Sequence, residues 1–410
     1  MRSTTASSAL PAQATPLRQD VTIIGLVGLA HASSHFSHLL LPLMFPVFMK
    51  VFGLSYSELG LLMSIFFVVS GIGQALAGFL VDRLGARPVL FSALTVLALG
   101  CLWAARAQAY TDLMVVAVLL GLGNCSFHPV DFTILNQRVS GPRLGYAFSA
   151  HGLTGNLGWA VAPIFMVGLS ELWDWRAAYH CAALLFLGIL VLAFWRRGAL
   201  STQVHRASPG AAQGGSALAF MKVPVVWWCF AFFMLSTMTL AIVQTFGVSI
   251  LQKMHEVSFA AANMTLTAYM LCAAAGMFVG GFVAARWPLH SDRVVAGCMT
   301  AGAGLFALCG TGLLNGVGTM VALAITGLAI GIGGPSRDMM IKKATPPGAT
   351  GRVYGMVYSG LDVGFALSPV IFGVFMDRGW YGATMLGGAL VLLCSVVTAL
   401  GIGKRTVART

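Results

Sequence analysis

GFLVDRLGARPVL, residues 78–90, carries three charges in a turn between two apolar blocks, 56–81 and 88–108. Each block exceeds the roughly 20 residues needed to cross a ~30 Å hydrocarbon layer, so the turn reads as a point where the chain leaves a bilayer and re-enters it. Gly85 permits the tight reversal, Gly78 allows two helices to approach closely, and Asp82 is placed to cap a neighbouring helix N-terminus or to pair with a loop arginine such as Arg83 or Arg87.

Outward from this turn the pattern repeats. The 410 residues are 58% hydrophobic and only 9% charged, against roughly 25% charged residues in a soluble domain, and this composition predicts a polytopic membrane protein. The net charge of +12 suggests nucleic acid only if the basic residues share one exposed face. Here they fall in short clusters between apolar blocks, so no nucleic-acid partner is expected. The eight cysteines are scattered without a CxxC pair, which argues against disulfide or zinc frameworks. No HExxH, nucleophile elbow or phosphate loop occurs, so neither an enzyme nor a cofactor is predicted.

Apolar blocks of spanning length predict twelve transmembrane helices over 21–50, 56–81, 88–108, 113–137, 145–170, 177–196, 222–251, 259–285, 292–314, 317–341, 353–376 and 381–402. Of the 24 Lys and Arg residues, Lys50, Arg106, Arg176, Lys253 and Arg378 fall on one side, Arg337 lies inside a span, and the remaining 18 fall on the other side. The positive-inside rule then puts both termini in the cytoplasm, of a bacterial-type inner (plasma) membrane. The expected organisation is an N-terminal tail (1–20) with no apolar core for a cleaved signal, a six-helix half (21–196), a polar linker (197–221), a second half (222–402) and a C-terminal tail (403–410).

The halves read as a duplication. LSYS (54–57) matches VSFA (257–260) at an offset of 203, while Pro129 matches Pro335 and Gly158/Pro163 match Gly364/Pro369 at 206. The second copy of the turn, GFVAARWPLHSDR (281–293), has Ala285 in place of Asp82. Parallel six-helix repeats place a substrate site near the bilayer midplane between the halves. The fold class is therefore all-α, twelve spans in two pseudo-repeats.

The turn is similar to the Gly-x-Leu-x-Asp-Arg-x-Gly-x-Arg signature of the major facilitator superfamily, with Gly78, Leu80, Asp82, Arg83, Gly85 and Arg87 in register. GLGNCSFHPVDF (121–132) and SGPRLGYAFSAHGLTGNLGWAVAP (140–163) resemble the fourth and fifth helices of its fosmidomycin-resistance branch, and WDWRAAY (173–179) a loop of the wider superfamily. The resemblance implies a proton-coupled transporter, commonly an exporter of toxic small molecules, and a first-half gating latch at 78–87. This chain carries His38 where drug-exporting members have an acidic residue, and its fifth helix has only Gly155-x-x-Gly158-x-x-x-x-Pro163 of the antiporter pattern.

Ionisable groups inside spans are costly and usually face a cavity or one another. They occur in the first span (His31, His35, His38), the fourth (His128, Asp131), the fifth (His151), the tenth (Arg337, Asp338) and the eleventh (Asp362), with Gln74 and Gln244 as neutral companions in the second and seventh. HASSHFSH (31–38) spaces its imidazoles i, i+4, i+7, within one arc of a helix, with His35 deepest. A metal site is geometrically possible there but lacks a neighbouring carboxylate or cysteine within the stripe, so none is expected. The imidazoles are read as packed donors or as cavity-lining substrate contacts.

Asp131, Asp338 and Asp362 are the proton-coupling candidates, carboxylates in a setting suited to loading and releasing a proton. For Asp131 the alternative is a static pair with Arg337, which the repeat register sets opposite it. Arg337 and the histidines suit an anionic or amphiphilic small molecule. The expected activity is secondary transport by a functional monomer in the lipid bilayer, with export of a toxic compound and uptake of an organic anion both open and a non-transporting sensor as the third reading.

Overall fold

The first apolar block does not form one rod. Helix α1 (Leu17–Leu39) stops short of Pro42, a 3-10 turn covers Pro42–Met44, and α2 (Phe45–Phe52) completes the crossing to Gly53, whose φ of +67° ends it. The prolines remove backbone donors and the turn tightens, with Met44 N–H donating to the Leu41 carbonyl at 3.0 Å. The Leu40 carbonyl that this frees accepts instead from the Tyr179 hydroxyl at 2.7 Å.

The computed structural model describes residues 16–203, 223–344 and 350–407. Its other helices are α3 (Tyr56–Leu84), α4 (Ala86–Ala104), α5 (Tyr110–Asn124), α6 (Phe127–Arg138), α7 (Leu144–Leu172), α8 (Trp175–Trp195), α9 (Pro224–His255), α10 (Phe259–Arg286), α11 (Ser291–Gly310), α12 (Gly316–Ala344), α13 (Thr350–Asp377) and α14 (Tyr381–Val407). Among the described residues there is no strand. Twelve segments are long and apolar enough to cross a membrane, with α1–α2 and α5–α6 each forming one broken span. The chain is an all-helical, twelve-span protein.

Two further expected spans change shape. The fourth, anticipated as one helix over 113–137, breaks at Cys125–Ser126, because Pro129 offers no N–H to the Cys125 carbonyl one turn earlier. The ninth, anticipated to 314, stops at Gly310 before Gly312, whose φ of +74° turns the chain. Most of the linker and parts of both tails lie outside the described residues. Where the linker begins, Thr202 Oγ1 accepts from Ala86 N–H at 2.9 Å and caps α4.

The two halves pack alike. In the first, α7 lies on α1 because Gly158 brings its backbone against the Ala32 carbonyl. In the second, α13 lies on α9 because Gly364 does the same against the Met234 carbonyl. A Cβ at either position would collide with those oxygens. Gly78, by contrast, was expected to serve such an approach and does not, since a Cβ there meets nothing within 4 Å. Gly85 keeps its anticipated role, with a φ of +83° in the turn between α3 and α4.

Between the halves α3 packs on α13, and α7 on α10. The named cross-half contacts gather toward the end bearing Ser55. Asp377, at the end of α13, accepts from the N–H groups of Tyr56 (2.6 Å) and Ser57 (3.0 Å) and bonds the Ser57 hydroxyl, capping α3 across the seam. Ser64 Oγ donates to the Ala366 carbonyl at 2.5 Å, and Phe67 stacks on Phe365 with ring centroids 4.4 Å apart. Thr267 Oγ1 donates to the Ala160 carbonyl at 3.1 Å on the other seam.

Replacing Gly158 by leucine is expected to destabilise the protein by about 1–3 kcal/mol or more, through overpacking against the α1 backbone. Gly78→Ala should leave thermal stability unchanged or slightly raised, because its space is open and alanine favours helix. Thermal unfolding of the two variants in detergent checks both outcomes.

Candidate functional site

The break between α5 and α6 turns the fourth span so that α6 presents His128 and Asp131 to α1. On the other side, Gly155 of α7 lies so close to His31 and His35 that any side chain there would occupy the imidazole positions. The result is a cluster that no single helix contains: His31, His35 and His38 from α1, His128 and Asp131 from α6, His151 from α7, and Gln74 from α3.

Asp131 is the centre, at 0% exposure. Its Oδ2 lies 3.2 Å from His151 Nε2, a hydrogen bond, and 3.2 Å from His31 Nδ1, which is not directed as one. The rings of His31 and His151 stack with centroids 3.5 Å apart, and His35 and His128 lie 4.5 and 5.2 Å from His31. Asp131 Oδ1, His31 Nδ1 and His35 Nδ1 are buried and have no hydrogen-bond partner among the described residues. The stripe on α1 has no carboxylate of its own, and folding brings one to it from the fourth span, Asp131.

The remaining imidazoles are engaged. His38 Nδ1 accepts from Trp159 Nε1–H at 3.3 Å, and that assigns the proton to Nε2, which donates to Asn124 Oδ1 at 3.2 Å. Asn124 also accepts from Ser34 Oγ at 2.6 Å and donates to Ser70 Oγ at 2.9 Å, tying α1, α3 and α5 together. His128 Nδ1 meets Gln74 Oε1 at 2.9 Å, linking α6 to α3.

Elsewhere the anticipated residues stand apart. The pairing of Asp131 with Arg337 is not made: Arg337 Nε donates to Asp338 at 3.0 Å and its guanidinium lies 5.0 Å from the Phe233 ring centre. The physical reason lies in the repeat. Asp131 faces His31 on the first helix of its half, and Arg337 faces Phe233 on the first helix of the other, so the two point into separate halves. Gln244 is buried in α9 with its amide nitrogen unpartnered. Asp362 lies on α13 against Gly71 of α3, at the seam, and no hydrogen bond or ion pair to its carboxylate is made among the described residues. In the turn at 78–87 Arg83 is exposed and Arg87 half-buried, while the Asp82 side chain lies outside what is described.

Asn124, Trp159 and Asp377 were not anticipated. Asn124 is one neutral amide in an apolar run, and Asp377 read as a loop residue. The capping pattern Ser55-x-x-Glu58 marks the start of α3, but nothing local signals an acceptor 320 positions away.

A bundle of two like six-span halves, with ionisable groups held inside its spans, defines a membrane transport protein rather than an enzyme. The Major Facilitator Superfamily model matches residues 27–256 and 229–409, and the chain belongs to that family. It is 23% identical over 386 residues to a fosmidomycin resistance protein of Escherichia coli (strain K12), covering 92% of this chain and 88% of that protein. It is 25% identical over 388 residues to an uncharacterized MFS-type transporter, YfnC, of Bacillus subtilis (strain 168), covering 92% of each. Among solved structures, a bacterial homolog of the human lysosomal transporter Spinster, inward-facing and unoccupied, aligns with a TM-score of 0.73 at 13% identity, over 95% of this chain and 97% of that one. The nucleoside transporter NupG, as a mutant, also aligns at 0.73, with 17% identity over 94% and 100%.

Asn124→Ala should destabilise the protein by about 1–3 kcal/mol, since it leaves His38 and two serines with unpaired polar atoms. Asn124→Asp keeps the acceptor for His38 and Ser34 and should recover part of the loss. Melting temperatures of the purified variants test this.

Proposed function

We propose that this chain is a proton-coupled secondary transporter that exports a small organic solute from the cytoplasm by rocking its two halves about the seam between them. The carrying observation is Asp362, a carboxylate inside a span at the point where α3 meets α13, with no hydrogen-bond or ion-pair partner among the described residues. Such a group is a functional candidate by its cost alone, and its place on the seam couples its charge state to how closely the halves can pack. With both termini cytoplasmic, as the Lys/Arg asymmetry supports, the Ser55 end is extracytoplasmic and the structure represents a state closed on that side. The domain division at 196/222, the inner-membrane location and a monomeric working unit belong to the same reading. Export is supported by the likeness to a fosmidomycin resistance protein over nearly the full length of both chains.

A second reading, uptake of an organic anion, draws on Arg337. Its side chain is 25% exposed in the second half, bonded to its neighbour Asp338 and set over the Phe233 face.

Proteoliposomes loaded with candidate solutes and given an imposed pH gradient test both readings. Outward flux driven by inward protons is expected, and Asp362→Asn should abolish the pH-driven component while leaving solute exchange between the two sides. Proton-driven accumulation in the opposite sense would replace export by uptake, and unchanged driven flux in Asp362→Asn would remove the coupling assignment.

A further inference from the structure

We propose that His31 Nδ1, Asp131 Oδ2 and His151 Nε2 form a binding site for a divalent first-row transition-metal ion of the zinc class. The three ligand atoms lie within 4.8 Å of one another, and all three residues are buried. The spacing carries the argument. Around an ion with bonds of about 2.0–2.1 Å, neighbouring ligand atoms sit about 3.3 Å apart in a tetrahedron and about 3.0 Å apart on an octahedral face. Both nitrogens lie 3.2 Å from the shared carboxylate oxygen, longer than the roughly 2.7–2.9 Å of a charge-assisted hydrogen bond.

The orphan atoms point the same way. His31 Nδ1 is buried without a hydrogen-bond partner although a carboxylate oxygen lies beside it, and Asp131 Oδ1 is likewise unpartnered. Only one of the two imidazoles beside Asp131 Oδ2 makes a directed hydrogen bond to it, whereas a cation at that point takes a lone pair from each of the three ligand atoms. Imidazole nitrogens favour zinc-class ions over magnesium and calcium, which take oxygen ligands. A second group, His31, His35 and His128, also converges within 4.8 Å, and two of its members are half-buried. His35 and His128 thus stand beside His31 as further nitrogen donors close to the site.

Three protein ligands leave a coordination position open. In a protein that transports as proposed above, that position takes water or an oxygen donor of the solute, and this favours solutes bearing a carboxylate or comparable metal-binding group. The ion site itself does not depend on Asp362 or on the direction of transport.

The test uses the full-length protein, purified without a histidine tag, titrated with Zn2+ alone by calorimetry and with Co2+ by visible absorption. Saturable binding of one ion per chain, undisturbed by excess Mg2+, is expected. Asp131→Asn and His151→Gln should each weaken it by about tenfold or more, while His180→Gln, an imidazole remote on α8, should leave it unchanged. X-ray absorption of the Zn2+-loaded wild-type protein gives a reading that needs no variant, with imidazole nitrogen and carboxylate oxygen as the expected shell. No saturable binding, binding insensitive to both ligand substitutions, or a shell containing sulfur or oxygen alone would overturn the site.

Discussion

The approach of α7 to α1 at Gly158 and the Ala32 carbonyl governs how this protein is arranged. It places the fifth span so close to the first that Gly155, one turn earlier, can only be glycine, and the space it leaves is filled by His31 and His35. It also delivers His151 to the carboxylate that α6 brings from the other side. The same backbone approach recurs in the second half between Gly364 and Met234, so the two halves share a scaffold set by main-chain contact rather than by side-chain identity. In membrane, where apolar side chains gain little by leaving lipid, such close backbone packing is a principal source of helix association.

On that shared scaffold the halves are chemically unlike. The first half assembles imidazoles around a buried carboxylate. The corresponding place in the second half holds a guanidinium over a phenyl ring, Arg337 over Phe233, with Val357 at the repeat position of His151. Within the first half there is a further division between imidazoles held at both nitrogens, as His38 is, and those with free nitrogen atoms, as His31 and His35 are. Sequence spacing treats the three as one stripe, but Trp159 and Asn124 separate them.

The twelve spans were legible because burying a backbone in hydrocarbon demands long apolar helices, and the charged turns stand out against them. The Gly158/Pro163 and Gly364/Pro369 correspondence was legible as well, and the structure gives it a physical content. Less could be read of the breaks. Pro129 announces a weak point in the fourth span, but its consequence, the rotation that brings Asp131 to His31, depends on neighbours 100 residues away. The expectation for Gly78 failed for a related reason, because a small residue permits close approach without requiring it. Asn124, Trp159 and Asp377 act only through partners on other helices, so no local pattern marks them.

The cap that Asp377 places on α3 has a mechanical meaning. Its carboxylate accepts from N–H groups at a helix start that already holds its own box, with Ser55 and Glu58 bonded to each other's backbone. If the halves part at this end, as the proposed rocking requires, α3 loses an external anion but keeps its internal cap, and water can take the place of Asp377 at Tyr56 and Ser57. A clasp built this way releases without unravelling either helix, and it exchanges one set of polar contacts for another of similar strength. The clasp therefore ties the two halves together by polar contacts without making the cap of α3 depend on them.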